Sequence, residues 1–418
     1  MRIGMRTKAL GLTVAGMLAL SACGGGSGDG GDGGGSSEPL QLGYVLPETG
    51  QLAFLGPPQV QATKYAMSEI NDAGGVLGKK LPPVVSGDEA DTAAVASQSA
   101  ERVLGEDVDA IIGAAASGMS LAIIDKVTGA QVVQCSGSNT APTFTGYEDD
   151  GYYFRTAPSD AMQGPVLADT IIADGYSNVA IVARADDYGK GLAKATADAL
   201  ESSGATVATQ EMYDPKSTNF DAVVQKTVSS DPDAVVLIAF EEGKQVLSGL
   251  VESGLTTDEV GIYGADGLRS EELPELVSPK DPSVLDGMKG TAPASSANKD
   301  FVKELKGFAP KLKETQFAPQ VFDCVNIIAL AAEQADSTDP TDFKKEVVGV
   351  TREGTECATF KECKGLIKDG KDINYQGKSG PLDFVDDGEP GAASIEVYGF
   401  NKKGDLNTIS TEQVKAQE

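Results

Sequence analysis

Histidine and tryptophan are both absent from the 418-residue chain. Without histidine there is no imidazole base, no Ser-His-Asp relay and no histidine ligand for a metal, which removes most hydrolase and zinc-enzyme chemistry. Cations are scarce as well: 34 Lys and Arg stand against 62 Asp and Glu, for a formal charge of −28. So acidic a chain repels nucleic acid and anionic lipid and stays soluble, so a nucleic-acid partner is excluded. No P-loop and no Gly-x-Gly-x-x-Gly fingerprint is present, and Ser117-Gly118 lacks the glycine frame of a nucleophile elbow. The acid pairs Asp186-Asp187, Glu241-Glu242 and Glu271-Glu272 read as solvated faces among so many carboxylates. These absences point away from an enzyme and call for no cofactor and no metal site.

What is present begins at the N-terminus. Arg2, Arg6 and Lys8 precede an apolar run from Ala9 to Leu20, then Leu20-Ser21-Ala22-Cys23. The run is too short to span a bilayer stably and reads as a signal peptide over residues 1–22. Its end resembles the bacterial lipobox, which implies that Cys23 is lipidated; an ordinary secretory signal with a chance cysteine is the alternative. Acyl chains gain about 0.8 kcal/mol per buried CH₂, so two or three of them anchor a protein durably. Residues 23–38 are mostly Gly, Ser and Asp and read as a flexible tether. No later apolar run reaches membrane length.

Export places the cysteines in an oxidising compartment. With Cys23 set aside, Cys135, Cys324, Cys357 and Cys363 remain. Cys357 and Cys363 close a short loop and pair naturally, leaving Cys135 with Cys324 by subtraction; two free buried thiols are the alternative to that second bridge.

Along the remaining body, short apolar runs alternate with helical spacing. Val179-Ala180-Ile181-Val182 and Val235-Val236-Leu237-Ile238 are apolar without alternation, as strands covered on both faces are. Further strands are expected at Leu40 to Leu46, Asp109 to Gly113, Gln131 to Gln134, Val260 to Tyr263 and Ser394 to Phe400. Helices are expected after Pro57-Pro58, from Tyr188 to Ser202, and around Lys299 to Lys313, Phe317 to Gln334 and Asp342 to Val350. The βα rhythm runs twice, interrupted between Ser136 and Arg155. An α/β fold of two similar lobes with parallel sheets follows.

In such sheets ligands sit beyond the carboxyl ends of the strands. Ser117, Gly118 and Ser120 follow one strand and open a helix, where hydroxyls and free N–H groups suit a carboxylate; capping by Ser117 is the plainer role. Ser136 to Pro142, with Ser138 and Thr140, forms a second small-polar strand end, or else an ordinary turn. Asp266, in Gly264-Ala265-Asp266-Gly267, can pair with an ammonium or serve as a turn residue.

Several stretches carry a resemblance: Gly43-Tyr44-Val45-Leu46-Pro47 with Thr49-Gly50, Ile70 to Gly78, Asp187-Tyr188-Gly189-Lys190-Gly191, and Ser379-Gly380-Pro381-Leu382-Asp383-Phe384. In this order, behind a lipobox, they resemble the branched-chain amino-acid (Leu/Ile/Val) binding proteins of ABC importers. That resemblance implies a type I periplasmic-binding-protein fold: two Rossmann-like lobes joined by a multi-strand hinge, divided as 39–159 plus 292–378 and 160–291 plus 379–418. It implies that Ser117, Ser138 and Thr140 hold the carboxylate and ammonium of an amino acid, and that Tyr188 and Asp266 close from the second lobe. Leu55, next to Phe54, stands where the family carries an aromatic residue, and Phe240 lies near another pocket position. The partners implied are an amino-acid-like solute or small amide, an ABC permease, and the outer face of the cell membrane through lipidated Cys23, for a monomer. The segment from Cys357 to Cys363 resembles a surface insertion of actinobacterial lipoprotein members. A sensor module of the same fold and an envelope hydrolase are the rival readings.

Overall fold

The computed structural model describes residues 38–294 and 298–416. The expected signal peptide, Cys23 and most of the tether lie outside the described residues.

The chain opens with β1 (Leu42–Val45), α1 (Gly56–Asp72), α2 (Ala93–Leu104), β2 (Ala110–Gly113), α3 (Ser117–Gly129), β3 (Val133–Ser136) and β4 (Tyr153–Arg155). The four strands form a parallel sheet in the order β1-β2-β3-β4. Every residue in them is buried, as in a parallel sheet covered on both faces. Residues 85–88 run alongside β1, Tyr44 N donating to Val85 O and Leu46 N to Gly87 O.

A second round follows: α4 (Asp160–Ala173), β5 (Asn178–Arg184), α5 (Asp187–Ser202), β6 (Thr206–Tyr213), α6 (Asp221–Ser229), β7 (Ala234–Ile238), α7 (Gly243–Glu252), β8 (Gly261–Gly264), α8 (Leu273–Val277) and β9 (Lys289–Pro293). After α9 (Lys299–Phe308), α10 (Ala318–Ala335), α11 (Pro340–Phe343), β10 (Thr355–Cys357), α12 (Phe360–Lys368) and β11 (Ile373–Tyr375), the chain ends in β12 (Ala392–Phe400) and β13 (Leu406–Lys415). The second sheet runs β13-β12-β9-β8-β7-β5-β6, parallel from β6 through β9 and antiparallel at β12 and β13. Helices α9 and α10 pack on α1, so the chain returns to the first sheet before β12 takes it back to the second. It therefore passes between the two sheets three times.

Two buried charges pin these crossings. Asp323 on α10 accepts from Tyr375 Oη, Lys378 N and Ser379 N, each at 2.8 Å, and from Ser379 Oγ at 2.6 Å. Arg155, at the end of β4, donates from Nε to Glu389 at 2.7 Å and from Nη1 to Ala141 O at 2.8 Å. Each isolated charge would be costly in the core, and here each is fully engaged.

Four expectations need correction. Glu242, expected on a solvated face, is buried and pairs with Arg184 at 3.2 Å. The helix expected from Asp342 to Val350 stops at Phe343 and continues as a 3₁₀ turn, Lys344–Glu346, while Phe343, Val347 and Val350 are buried. The strand expected at Gln131 begins two residues later, because Gln131 has φ of 60° and ends the preceding turn. The cysteine segment is not a surface decoration. Phe360, Cys363 and Lys364 share one face of α12; Cys357, Phe360 and Cys363 join the main core, and Lys364 Nζ reaches Glu333 at 2.7 Å and also bonds Gly75 O.

Both disulfides form, Cys357–Cys363 and Cys135–Cys324. The second ties β3 to α10 across 189 residues of sequence, a long loop whose closure restricts the unfolded chain. Replacing Cys135 and Cys324 together by Ser is expected to lower the unfolding free energy by roughly 3–5 kcal/mol in denaturant titration; a loss under about 1 kcal/mol would show that the bridge adds nothing to the helix and strand packing.

Candidate functional site

The carboxyl ends of six parallel strands point at one another across the gap between the sheets. Loops after β1 bring Leu52 and Leu55, those after β2 bring Ala115, Ala116 and Ser117, and those after β3 bring Ser138 and Thr140. From the other side, Tyr188 follows β5, Phe240 follows β7, and Asp266 with Gly267 follows β8. Phe317, just before α10, completes the lining of a narrow cavity. The structure thus brings seven of the expected site residues together: Ser117, Ser138, Thr140, Leu55, Tyr188, Phe240 and Asp266. Phe54 is the exception; it sits in the 3₁₀ turn Ala53–Leu55, half-buried against the core, and does not line the cavity.

The first wall is rigid because its polar groups hold each other. Ala114 O accepts from Ser136 Oγ at 2.7 Å, Ser120 Oγ at 3.0 Å and Asn139 Nδ2 at 3.1 Å. Ser120 is thereby turned to the backbone. Ser138 Oγ lies 3.1 Å from Ala115 O and 3.2 Å from Gln59 Oε1, and Ser117 Oγ accepts from Ala141 N at 3.3 Å. Ser117 is the first residue of α3, not its N-cap; that place falls to Ala116, whose side chain cannot cap. A remote carboxylate does so instead: Glu89 accepts from Ala115 N at 2.6 Å and Ala116 N at 3.1 Å. Burial pushes the Glu89 carboxyl up to about 8 despite those two donors.

The second wall is acidic. Asp266 Oδ1 accepts from Tyr188 Oη at 2.8 Å and Gln163 Nε2 at 2.9 Å, while Gln316 Nε2 holds Asp266 O at 2.8 Å. Burial raises the Asp266 carboxyl to about 6, although these hydrogen bonds favour its charge. Asp160, the first residue of α4, is also fully buried, and neither of its carboxylate oxygens has a hydrogen-bond partner. Its pKa stands well above the usual carboxylate value, through burial first and the nearby Asp266 charge second; the adjacent Thr140 hydroxyl lowers it without reaching hydrogen-bonding geometry. Asp266 at the cavity, with Asp160 buried near it, makes this end a place for a cation. The opposite lining of Leu52, Leu55, Phe240 and Phe317 is apolar.

Sequence reasoning missed Leu52, Glu89, Asp160, Gln163 and Phe317. Asp160 carries only a helix-start signal after Ser159, and Glu89 stands among other acids, Asp88 and Asp91, with nothing local to single it out. Phe317 gave a faint sign in hindsight: it precedes Ala318-Pro319, and its φ of 59° marks a tight entry to α10.

A family model described as periplasmic binding protein matches residues 39–365. The chain is 26% identical over 304 residues to Leu/Ile/Val-binding protein homolog 3 of Brucella melitensis, covering 72% of this chain and 80% of that one. It is 28% identical over 368 residues to the chemotactic signal transduction system substrate-binding protein BasB of Halobacterium salinarum, covering 85% and 86%. In fold it is similar to the branched-chain amino acid transporter substrate-binding protein LivJ of Streptococcus pneumoniae in complex with isoleucine, with a TM-score of 0.73 at 22% identity, covering 91% of this chain and 100% of that one.

The folded chain holds the Asp266 proton more tightly than the unfolded chain, whose carboxyl has the ordinary value of 3.8. Its contribution to stability is therefore full below about pH 4 and is lost as pH rises to about 6. Asp266→Asn is expected to gain on the parent by on the order of 2–3 kcal/mol across that window in urea unfolding of ligand-free protein. A difference that does not vary with pH would mean that Asp266 titrates normally.

Proposed function

The chain belongs to the periplasmic binding protein family, and on that premise we propose that it captures an amino acid with an apolar side chain, or a related small amide, between its two sheets and delivers it to an ABC permease. The observation that carries this reading is the cavity's polarity: the Ser117, Ser138 and Thr140 hydroxyls at the start of α3 and after β3 on one wall, the acid Asp266 with Asp160 buried near it on the other, and an apolar end. A zwitterion needs both charges matched once it leaves water, and one cavity offers both kinds of partner. Ser117, through its hydroxyl and its own backbone N–H, and Thr140 take the carboxylate, and Ser138 and Asp266, steadied by Tyr188, take the ammonium. Leu52, Leu55, Phe240 and Phe317 receive the side chain. The two halves of the fold, 39–159 plus 292–378 and 160–291 plus 379–418, act as lobes that close on the solute, since contacts with the second lobe reward closure. A lipid on Cys23 and the Gly/Ser/Asp tether keep the carrier at the outer face of the membrane. Similarity to Leu/Ile/Val-binding proteins and to isoleucine-bound LivJ supports an aliphatic ligand.

One relative favours a second reading. BasB is named as a component of chemotactic signal transduction, so the same capture can feed a receptor. Loss of solute uptake on deletion of the chain separates transport from sensing.

Calorimetry against L-leucine, L-isoleucine, L-valine, L-alanine, benzoate and urea tests the ligand class. Binding is expected for the aliphatic amino acids and not for benzoate, which has no ammonium. Asp266→Ala should weaken binding at least about 100-fold and Ser117→Ala about tenfold, the usual range for a buried charged and a neutral hydrogen bond. An ammonium binds ionised Asp266, so below about pH 6 binding must expel a proton and affinity should fall by up to about tenfold per pH unit. Ligand-free protein that binds no amino acid or amide would refute the proposal.

A further inference from the structure

Arg184 ends β5 on the second sheet and is almost wholly buried. Its guanidinium meets three carboxylates. Asp186 at 2.5 Å and Glu242 at 3.2 Å come from its own side of the gap, and Tyr213 Oη also donates to Glu242, at 2.9 Å. The third, Asp91, comes from the loop between α1 and α2 on the other side. Arg184 Nη2 holds its two oxygens at 3.1 and 3.0 Å. A second contact crosses the gap beside it, Glu241 N donating to Gln51 O at 3.3 Å.

Asp91 stands two residues from Glu89, whose carboxyl fixes the Ala115 and Ala116 N–H groups of the first wall. Arg184 in turn lies 3.6 Å from the centroid of the Phe240 ring, and that ring stacks on Tyr188 at 5.3 Å. Tyr188 orients Asp266. A continuous series of contacts therefore runs from one cavity wall to the other, and its single ionic link across the gap among these residues is Asp91 with Arg184. When the halves part, Asp186 and Glu242 stay with Arg184, and only Asp91 leaves.

We propose that the Asp91–Arg184 pair is the latch of the closed form: it touches no solute, and it sets how long a solute is kept rather than which solute is chosen. The proposal rests on the two-lobe reading above. A guanidinium–carboxylate pair is directional and strong when sheltered from water, so it acts only at full closure. Its loss should appear as faster opening, with the ranking of ligands unchanged.

Closure can be read without knowing the solute. In full-length protein carrying Cys23→Ser, Gln51→Cys and Glu241→Cys place a thiol on each side of the gap, and a short bis-maleimide joins them at a rate proportional to the closed population. Asp91→Asn is expected to slow this joining at least about tenfold, and Asp91→Lys more, because it sets like charge against Arg184. Slow joining in Asp91→Asn with an unchanged denaturation midpoint separates the ionic link from a merely structural role for the loop. Joining at the parent's rate in both variants would overturn the latch and leave the ligand proposal standing. A parent that never joins would overturn the latch together with the closure it serves.

Discussion

The first cavity wall depends on one carbonyl. Ala114 O gathers Ser136, Ser120 and Asn139, and so welds the loop after β2 to the loop after β3. Buried polar groups must find partners or lose the equivalent of a hydrogen bond each, and this convergence satisfies several at once. Glu89 does the same for the start of α3 from a third loop, and Cys135–Cys324 fastens the back of the wall to α10. The groups facing the cavity are thus set before any solute arrives, which reduces the ordering cost of binding.

The second wall works by the opposite logic. Asp266 and Asp160 are buried acids close to each other, and lost hydration, with the Asp266 charge adding to it at Asp160, keeps proton affinity high. A wall of this kind is uncomfortable alone and is relieved by a cation. Tyr188, Gln163 and Gln316 hold Asp266 in place against that discomfort. Rigid donors on one side and unrelieved acceptors on the other give the gap a direction as well as a volume.

Much of this was legible in the chain because it rests on local rules. Non-alternating runs such as Val235 to Ile238 announce strands covered on both faces, and small hydroxylic residues directly after such runs mark strand ends. Edge elements were harder to see. β6 and β13 are polar and partly exposed, so Thr206–Tyr213 and Leu406–Lys415 carry no strong apolar signal. Phe54 and Leu55 illustrate the limit at the site: adjacent in sequence, they diverge in the 3₁₀ turn, and only Leu55 meets the cavity. The cysteine segment resembled a surface insertion, yet α12 buries Phe360, Cys363 and Lys364 through a face visible only once it is helical and α10 lies beneath it.

The sequence alone determined the alternation of strands and helices, the absence of histidine chemistry and the positions of the hydroxyls and acid that line the gap, because period, composition and turn residues are properties of neighbours along the chain. Tertiary structure decided that Glu89 caps a helix begun 28 residues later, that Asp160 stands beside Asp266, and that Asp91 reaches Arg184 across 93 positions. Such pairings depend on where sheets and crossings set distant residues, and burial gives them their energy. No local pattern records either.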